Sequence, residues 1–262
     1  MIKRLLKQVL TFPQILRHRI MGEVINYEQA LDFFRYFPFA TIKNQTAYIG
    51  KIKLYFGNLP PMSAGIFSHN GKEYSRPNVV GKDVIDLGAA LGDTIVYFAS
   101  AKARNVFGYE FNLRYYNLAK INIKLNNLQD KASVEFCGVA SKKIAATDVI
   151  LGAIVPNEDL EDINSANFKT LDQILEEKNI KDGVLKVDVD GFEYEIFRSV
   201  SVEGWNRVGQ IIMEYHYGTQ DLKTILESAG FKVEIEPTCK VEVGYHPDAY
   251  KNMDIGHIYA TR

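Results

Sequence analysis

The sequence is short of cysteine, has a single tryptophan and contains no long apolar run. Cys137 and Cys239 are its two cysteines, too few for a disulfide framework or a four-ligand zinc site. Both read as small buried residues of a chain kept reduced, which points to the cytoplasm. No stretch approaches the roughly 18 apolar residues that a membrane-spanning helix needs. The N-terminus also lacks the continuous apolar segment of a signal peptide. An excess of one charge is missing too: 31 basic residues face 32 acidic ones, a net charge of −1. Nucleic acid is therefore not an expected partner, since binding it calls for a basic field. Internal repeats and low-complexity tracts are absent.

What is present is enough apolar material, 47% of 262 residues, to bury a large core. The chain divides into an N-terminal extension over residues 1–75 and a larger domain over 76–262. The first 22 residues hold Lys3, Arg4, Lys7, Arg17 and Arg19 and no acid. With Leu5, Leu6, Val9 and Leu10 among them, this segment is a candidate for peripheral contact with an anionic membrane surface. Residues 1 to about 40 read as helical, and 46–56 as a strand or hairpin.

From residue 79 the pattern changes. Short β-rich runs alternate with helical stretches, the pattern of a doubly wound α/β sheet. Strands are expected at 84–87, 105–109, 132–137, 184–189, 210–215, 232–236 and 257–260. Asn112 is placed to cap the helix after the second strand, with Leu118, Ile121 and Leu125 on one face. Thr170 and Gln173 have capping-box spacing, and Gly230 suits the end of a helix. Residues 139–168 fit no clean helix and leave room for an extra hairpin.

Three motifs carry chemistry. "VIDLGAALGDT", residues 84–94, reads as strand, tight loop and helix. Ligands in such sheets bind at the carboxyl ends of the strands. Glu110 follows one βαβ unit later, at the end of "GYE", where an acid accepts bonds from two ribose hydroxyls. A dinucleotide loop would read G-x-G-x-x-G. Here Ala90 takes the middle position, and Asp93 stands at the third glycine and would repel a pyrophosphate. A ligand with a ribose, an amino end and no phosphate fits better: S-adenosylmethionine. The loop spacing speaks against a nicotinamide oxidoreductase.

The second motif is "GVLKVDVDGFEYEIF", residues 183–197. Lys186, Asp188 and Asp190 alternate, which puts them on one side of a strand and its end. The third is "IIMEYHYG", residues 211–218, with Glu214 and His216 two apart at the end of an apolar strand. Histidine titrates near neutrality and can take a hydroxyl proton. His18, His69, His246 and His257 read as ordinary packed or solvated residues.

Taken in order, "VIDLGAALGDT", "GYEFN", "INIKLNN", "TLDQIL", "LKVDVDGFEYEIF" and "IIMEYH" resemble the FkbM family of S-adenosylmethionine-dependent methyltransferases, over residues 74–262. Lys186, Asp188, Asp190, Gly191 and Glu193 match its most specific pattern. The family usually has Glu at the place of Asp190, Asn at Ala90 and Pro at Phe111. The resemblance implies a class I, Rossmann-like sheet of seven strands in the order 3-2-1-4-5-7-6. It also implies S-adenosylmethionine as cofactor and methyl transfer to a hydroxyl on a sugar, glycolipid or small metabolite. By the same resemblance, Asp86, Gly88, Ala89, Gly92, Asp93 and Thr94 line the methionine end, and Glu110 holds the ribose. Phe111 and Asn112 lie near the adenosine. Gly138 and Val139, after the third strand, border the adenine, and Asp188 faces the amino group or the acceptor.

His216 is the first candidate for general base, and Asp188 or Asp190 the second. Asp188, Asp190 and Glu214 could hold a divalent metal, but carboxylates alone identify none, and no metal is assigned. Two other readings remain. One is a non-catalytic binding module on the same fold. The other is an N-methyltransferase acting on nucleic acid. Such enzymes often carry an Asn/Asp-Pro-Pro-aromatic motif after the fourth strand, where this chain has Asp188-Val189-Asp190-Gly191.

Overall fold

The structure is a computed structural model that describes residues 40–59, 73–141, 167–219, 221–237 and 254–262. The expectations for the helical and basic N-terminal residues, and for Cys239, His18, His69 and His246, lie outside the described residues.

Two sheets are present among the described residues. The smaller is an antiparallel meander of β1 (Thr41–Lys43), β2 (Thr46–Ile49) and β3 (Ile52–Tyr55). The larger holds β4 (Asp83–Leu87), β5 (Asn105–Glu110), β6 (Ala132–Val139), β7 (Asn167–Lys169), β8 (Gly183–Val187), β9 (Val208–Tyr215), β10 (Lys232–Pro237) and β11 (Gly256–Thr261). Its order is β10-β11-β9-β8-β4-β5-β6-β7. Strands β4 to β9 pair in parallel, while β11 runs antiparallel between β9 and β10. The sheet therefore has eight strands rather than seven. The addition is β7, a three-residue edge strand beside β6, too short to show an alternating pattern. Without it, the order of neighbours is the one written above.

The crossovers are α1 (Asp93–Ser100), α2 (Leu113–Leu125), α3 (Leu171–Glu177), α4 (Glu193–Ser199), α5 (Val202–Trp205) and α6 (Leu222–Ser228). Asn112 caps α2 by accepting from Tyr115 N, and Thr170 and Gln173 close a capping box on α3. Each strand of the parallel core splits its side chains between two apolar layers. Val84, Val184 and Ile212 face one layer with Ile95, Phe98 and Leu118. Ile85, Leu87, Leu185, Val187 and Met213 face the other with Ile174, Phe197 and Trp205. Both central strands, β4 and β8, are buried along their whole length, as a sheet covered on both faces requires.

The buried face of α2 differs from the expected one. Leu118, Ala119, Asn122 and Ile123 point inward, whereas Ile121 is 44% exposed. The reason is polar. Asn122 Oδ1 accepts from Tyr55 N at 2.6 Å, and its amide donates to Tyr55 O and Leu91 O. One turn on, Asn126 pairs with both backbone groups of Lys53. Two asparagines four apart thus act as the missing neighbour of β3 and dock the small sheet against α2. Ile42, Ala47 and Leu54 of that sheet join the same apolar layer as Val84 and Ile95.

Candidate active site

The site is built at the carboxyl ends of β4, β5, β8 and β9. After β4 the chain turns through Gly88, Ala90 and Gly92 with φ of 72°, 44° and 78°. Glycine enters this region without strain, while a residue with a Cβ such as Ala90 costs about 1–3 kcal/mol there. Glu110, the last residue of β5, clasps the turn. Its Oε2 accepts from Ala90 N at 2.8 Å and its Oε1 from Asn112 N at 2.8 Å. Each oxygen keeps a second lone pair for a ligand hydroxyl. Burial pushes the Glu110 carboxyl up to about 7, against the pull of those two amides.

Beneath the turn lies a buried ion pair. Asp86 and Lys186 are register partners on β4 and β8. Lys186 Nζ stands 3.1 Å from Asp86 Oδ1 and donates to Gly88 O at 2.7 Å. The other oxygen of Asp86 accepts from the Thr94 hydroxyl at 2.5 Å. Asp86 is fully enclosed, and Lys186, Asp93 and Thr94 nearly so. Burial works against the ammonium charge, but Asp86 and then Asp188 outweigh it and hold Lys186 above the usual lysine range. Asp86 and Thr94 thus shape the turn from below, through Lys186.

At the open end the side chains converge on His216, just past β9 and 2% exposed. Its Nδ1 meets Glu193 Oε1 at 2.9 Å. Glu193 Oε1 also accepts from Val189 N and Gly191 N, and its side chain is fully buried. Around Nε2 stand Asp190 Oδ1 at 3.5 Å, Glu214 Oε1 at 3.7 Å and Asp188 Oδ1 at 3.9 Å. Burial alone would lower the imidazole's pKa, yet the bond to Glu193 and the surrounding carboxylates carry it up to about 10. Asp188 and Asp190 are both raised, first by burial. Glu214 reaches across to His257, its register partner on β11, whose Nε2 lies 3.5 Å from Glu214 Oε2 and 3.3 Å from Glu73 Oε2.

Strand β8 stops at Val187 rather than 189. Asp188 and Asp190 therefore sit in the turn that follows, with Asp190 at φ 49°. Lys186 and Asp188 do share a side, 4.0 Å apart. Gly138 and Val139 lie within β6 rather than after it, and Gly138 is paired with Phe168 of β7. Glu193 and His257 join the cluster although neither was given a role. Glu193 had a visible signal, its place in the Lys-x-Asp-x-acid-Gly-x-Glu pattern. His257 had none, because antiparallel pairing across 43 residues, from 214 to 257, brings it in.

The methyltransferase FkbM domain is matched over residues 86–233, more than half of the chain. The chain belongs to the FkbM methyltransferase family. No curated protein matches it. Among solved structures, a candidate tRNA methyltransferase of Streptococcus pneumoniae is 13% identical, with 74% of this chain and 69% of that one covered and a TM-score of 0.45. A candidate S-adenosylmethionine-dependent methyltransferase of Listeria monocytogenes is 14% identical (74% and 95% covered, TM-score 0.43). Magnesium protoporphyrin IX methyltransferase from Synechocystis PCC 6803, solved with its bound S-adenosylmethionine, is 13% identical (73% and 75% covered, TM-score 0.43). These likenesses carry no argument about the substrate. The FkbM domain spans the β4 turn, Glu110 and the Asp188–His216 cluster, while Glu73 and His257 lie outside it. Among the described residues, no helix of this FkbM protein is long and apolar enough to cross a membrane.

Proposed function

We propose that this FkbM protein transfers a methyl group from S-adenosylmethionine to a hydroxyl of a sugar, glycolipid or small metabolite. The observation that carries the reading is the juxtaposition just described: a clasped turn with a ribose-accepting acid, beside a cluster of carboxylates and imidazole. The donor set fits the cofactor. Gly88, Ala89 and Gly92 expose backbone, Glu110 retains lone pairs for ribose hydroxyls, and Phe111 and Asn112 flank it. Gly138 and Val139 line the adenine side, and Asp188 faces the amino group. When bound, the cofactor supplies a methyl group on a sulfonium.

The chain's own work is to hold the acceptor in line and receive its proton. His216, with Nδ1 held by Glu193 and Nε2 turned toward the carboxylates of the cleft, is the first candidate to take that proton. The part-exposed Asp188 and Asp190 (side chains 32% and 60% exposed) are the second candidates beside it. Hydroxyls need such a base. The cluster, in place of the Pro-Pro-aromatic clamp, therefore favours oxygen over a nucleobase amine.

Calorimetric titration with S-adenosylmethionine, followed by transfer of labelled methyl to a panel of hydroxyl acceptors, tests this. Glu110→Ala is expected to cost about 1.5–3 kcal/mol of binding, the worth of a hydrogen bond to a charged group, or roughly 10- to 150-fold in affinity. A folded protein with no cofactor affinity would overturn the reading. Binding without any transfer would favour a non-catalytic module, and transfer to nucleic acid amines would replace the acceptor class.

The same titration has a pH signature. Ribose hydroxyls donate to the ionised carboxylate, so affinity should rise as pH passes through about 7, where Glu110 ionises. Glu110→Gln should flatten that rise. The apo fold responds in the opposite sense. With its pKa raised from 4.5 to about 7, Glu110 contributes stability that is complete below 4.5 and lost as pH climbs through 7.

A further inference from the structure

We propose that Asp188, Glu214 and His216 form a binding site for a divalent first-row metal ion. Their candidate ligand atoms all lie within 4.8 Å of one another. The decisive feature is His216. It is 98% buried by its 2% exposure, and its Nδ1 is occupied by Glu193 at 2.9 Å. That bond leaves Nε2 pointing among Asp190, Glu214 and Asp188 at 3.5, 3.7 and 3.9 Å.

A hydrogen bond from Nε2 would draw one oxygen to about 2.7–3.2 Å. Among the described residues no oxygen comes that close, and the three stand off by similar amounts. Ligands at about 2.0–2.2 Å from one ion lie about 3 Å apart when adjacent and about 4.2 Å apart when opposite. The separations from Nε2 to Glu214 and Asp188, 3.7 and 3.9 Å, fall inside that range.

The surroundings agree. A buried carboxylate on the far nitrogen of a ligating histidine fixes the tautomer and raises the ligand's basicity, and Glu193 stands there, itself tied to Val189 N and Gly191 N. Its Oε2 has no hydrogen-bond partner among the described residues. Lys186, 4.0 Å from Asp188, and His257, 3.5 Å from Glu214, are the nearby cations, and neither stands among the Nε2-facing oxygens. One imidazole with carboxylates suits Mn²⁺, Fe²⁺ or Zn²⁺ better than Mg²⁺ or Ca²⁺. Asp188 and Glu214 are part-exposed, so the site opens to the side from which an acceptor would come. An ion there would grip the acceptor's hydroxyl oxygen, and this use of the site rests on the methyl-transfer reading.

The test is Mn²⁺ titration of the full chain without cofactor, followed by calorimetry and electron paramagnetic resonance. One ion per chain is expected, with nitrogen hyperfine coupling from a single imidazole. Asp188→Asn, whose side chain is the more accessible, should weaken binding at least tenfold while the melting temperature holds. His216→Gln should abolish the nitrogen coupling. Glu193→Gln, a positioning change, should cost about 10- to 100-fold in affinity. No bound ion at about 1 mM Mn²⁺, the weak end for biological sites, would overturn the proposal. So would binding without nitrogen coupling, or Asp188→Asn binding as tightly as the parent. A failed cofactor titration with Mn²⁺ binding intact would sink the methyl-transfer reading and leave the metal site standing.

Discussion

Gly88→Ala is expected to leave little folded protein. A Cβ at residue 88 would lie 1.7 Å from the backbone oxygen of Asp188, far inside contact distance. That oxygen cannot swing away as a side chain would, because Asp188 N is bound to Leu87 O at 3.1 Å, which stitches the two strand ends together. The residue also sits at φ 72°, which by itself costs a non-glycine residue about 1–3 kcal/mol. Relief requires parting β4 from β8 where Lys186 bridges them. The sum should exceed about 4 kcal/mol, among the largest losses that single substitutions cause. Urea denaturation, or failure to accumulate, would report it. Gly92→Ala makes the lesser overlap: its Cβ would meet Ala119 Cα at 2.8 Å at φ 78°, so α2 itself would have to shift. A Gly88→Ala protein melting within about 2 °C of the parent would mean that the two strand ends are not this close.

Lys186→Met should cost about 3–5 kcal/mol, because removing one partner of a buried pair leaves the other charge uncompensated. The stranded group is Asp86, fully enclosed and left with the Thr94 hydroxyl alone. Gly88 O and Leu87 O would lose their Lys186 contacts as well. A cycle with Asp86→Asn separates this from lost packing. If the pair is coupled, the double variant should recover part of the loss, by about 0.5–3 kcal/mol relative to the sum of the singles. Additive losses would show that Lys186 acts on the turn without Asp86. Cofactor affinity of the folded Lys186→Met fraction should also fall, since the carbonyl of Gly88 is no longer held down.

Much of this was legible in the chain. The apolar runs of β4, β5, β8 and β9 are continuous because both faces of those strands are covered, and such runs are readable without neighbours. The caps at Asn112 and Thr170 are local, set by side chains within three residues. The ionisable residues in and after β8 stood out against Val184, Leu185 and Val187, because burying them needs a partner. Misreadings arose where a distant element decides. Helical spacing puts Leu118, Ile121 and Leu125 on one face but says nothing of Asn122, which turns inward to serve β3 and leaves Ile121 exposed. The three residues of β7 are too few for any period to show.

The shorter acid at position 190 has a physical account in the backbone. Asp190 sits at φ 49°, where aspartate is among the better-tolerated non-glycine residues. A strand continued to 189 would have hidden this.

The sequence by itself determined the family, the parallel core, the turn after β4 and the acid at the end of β5, because each is written in residues close together along the chain. The tertiary structure alone decided the charge balance of the site. Asp86 meets Lys186 by parallel register, His257 meets Glu214 by antiparallel register, and Glu193 reaches His216 from the start of α4. Titration and metal affinity depend on separations of 3–4 Å between such groups, and Coulomb interactions are set by distance in space rather than by position along the chain.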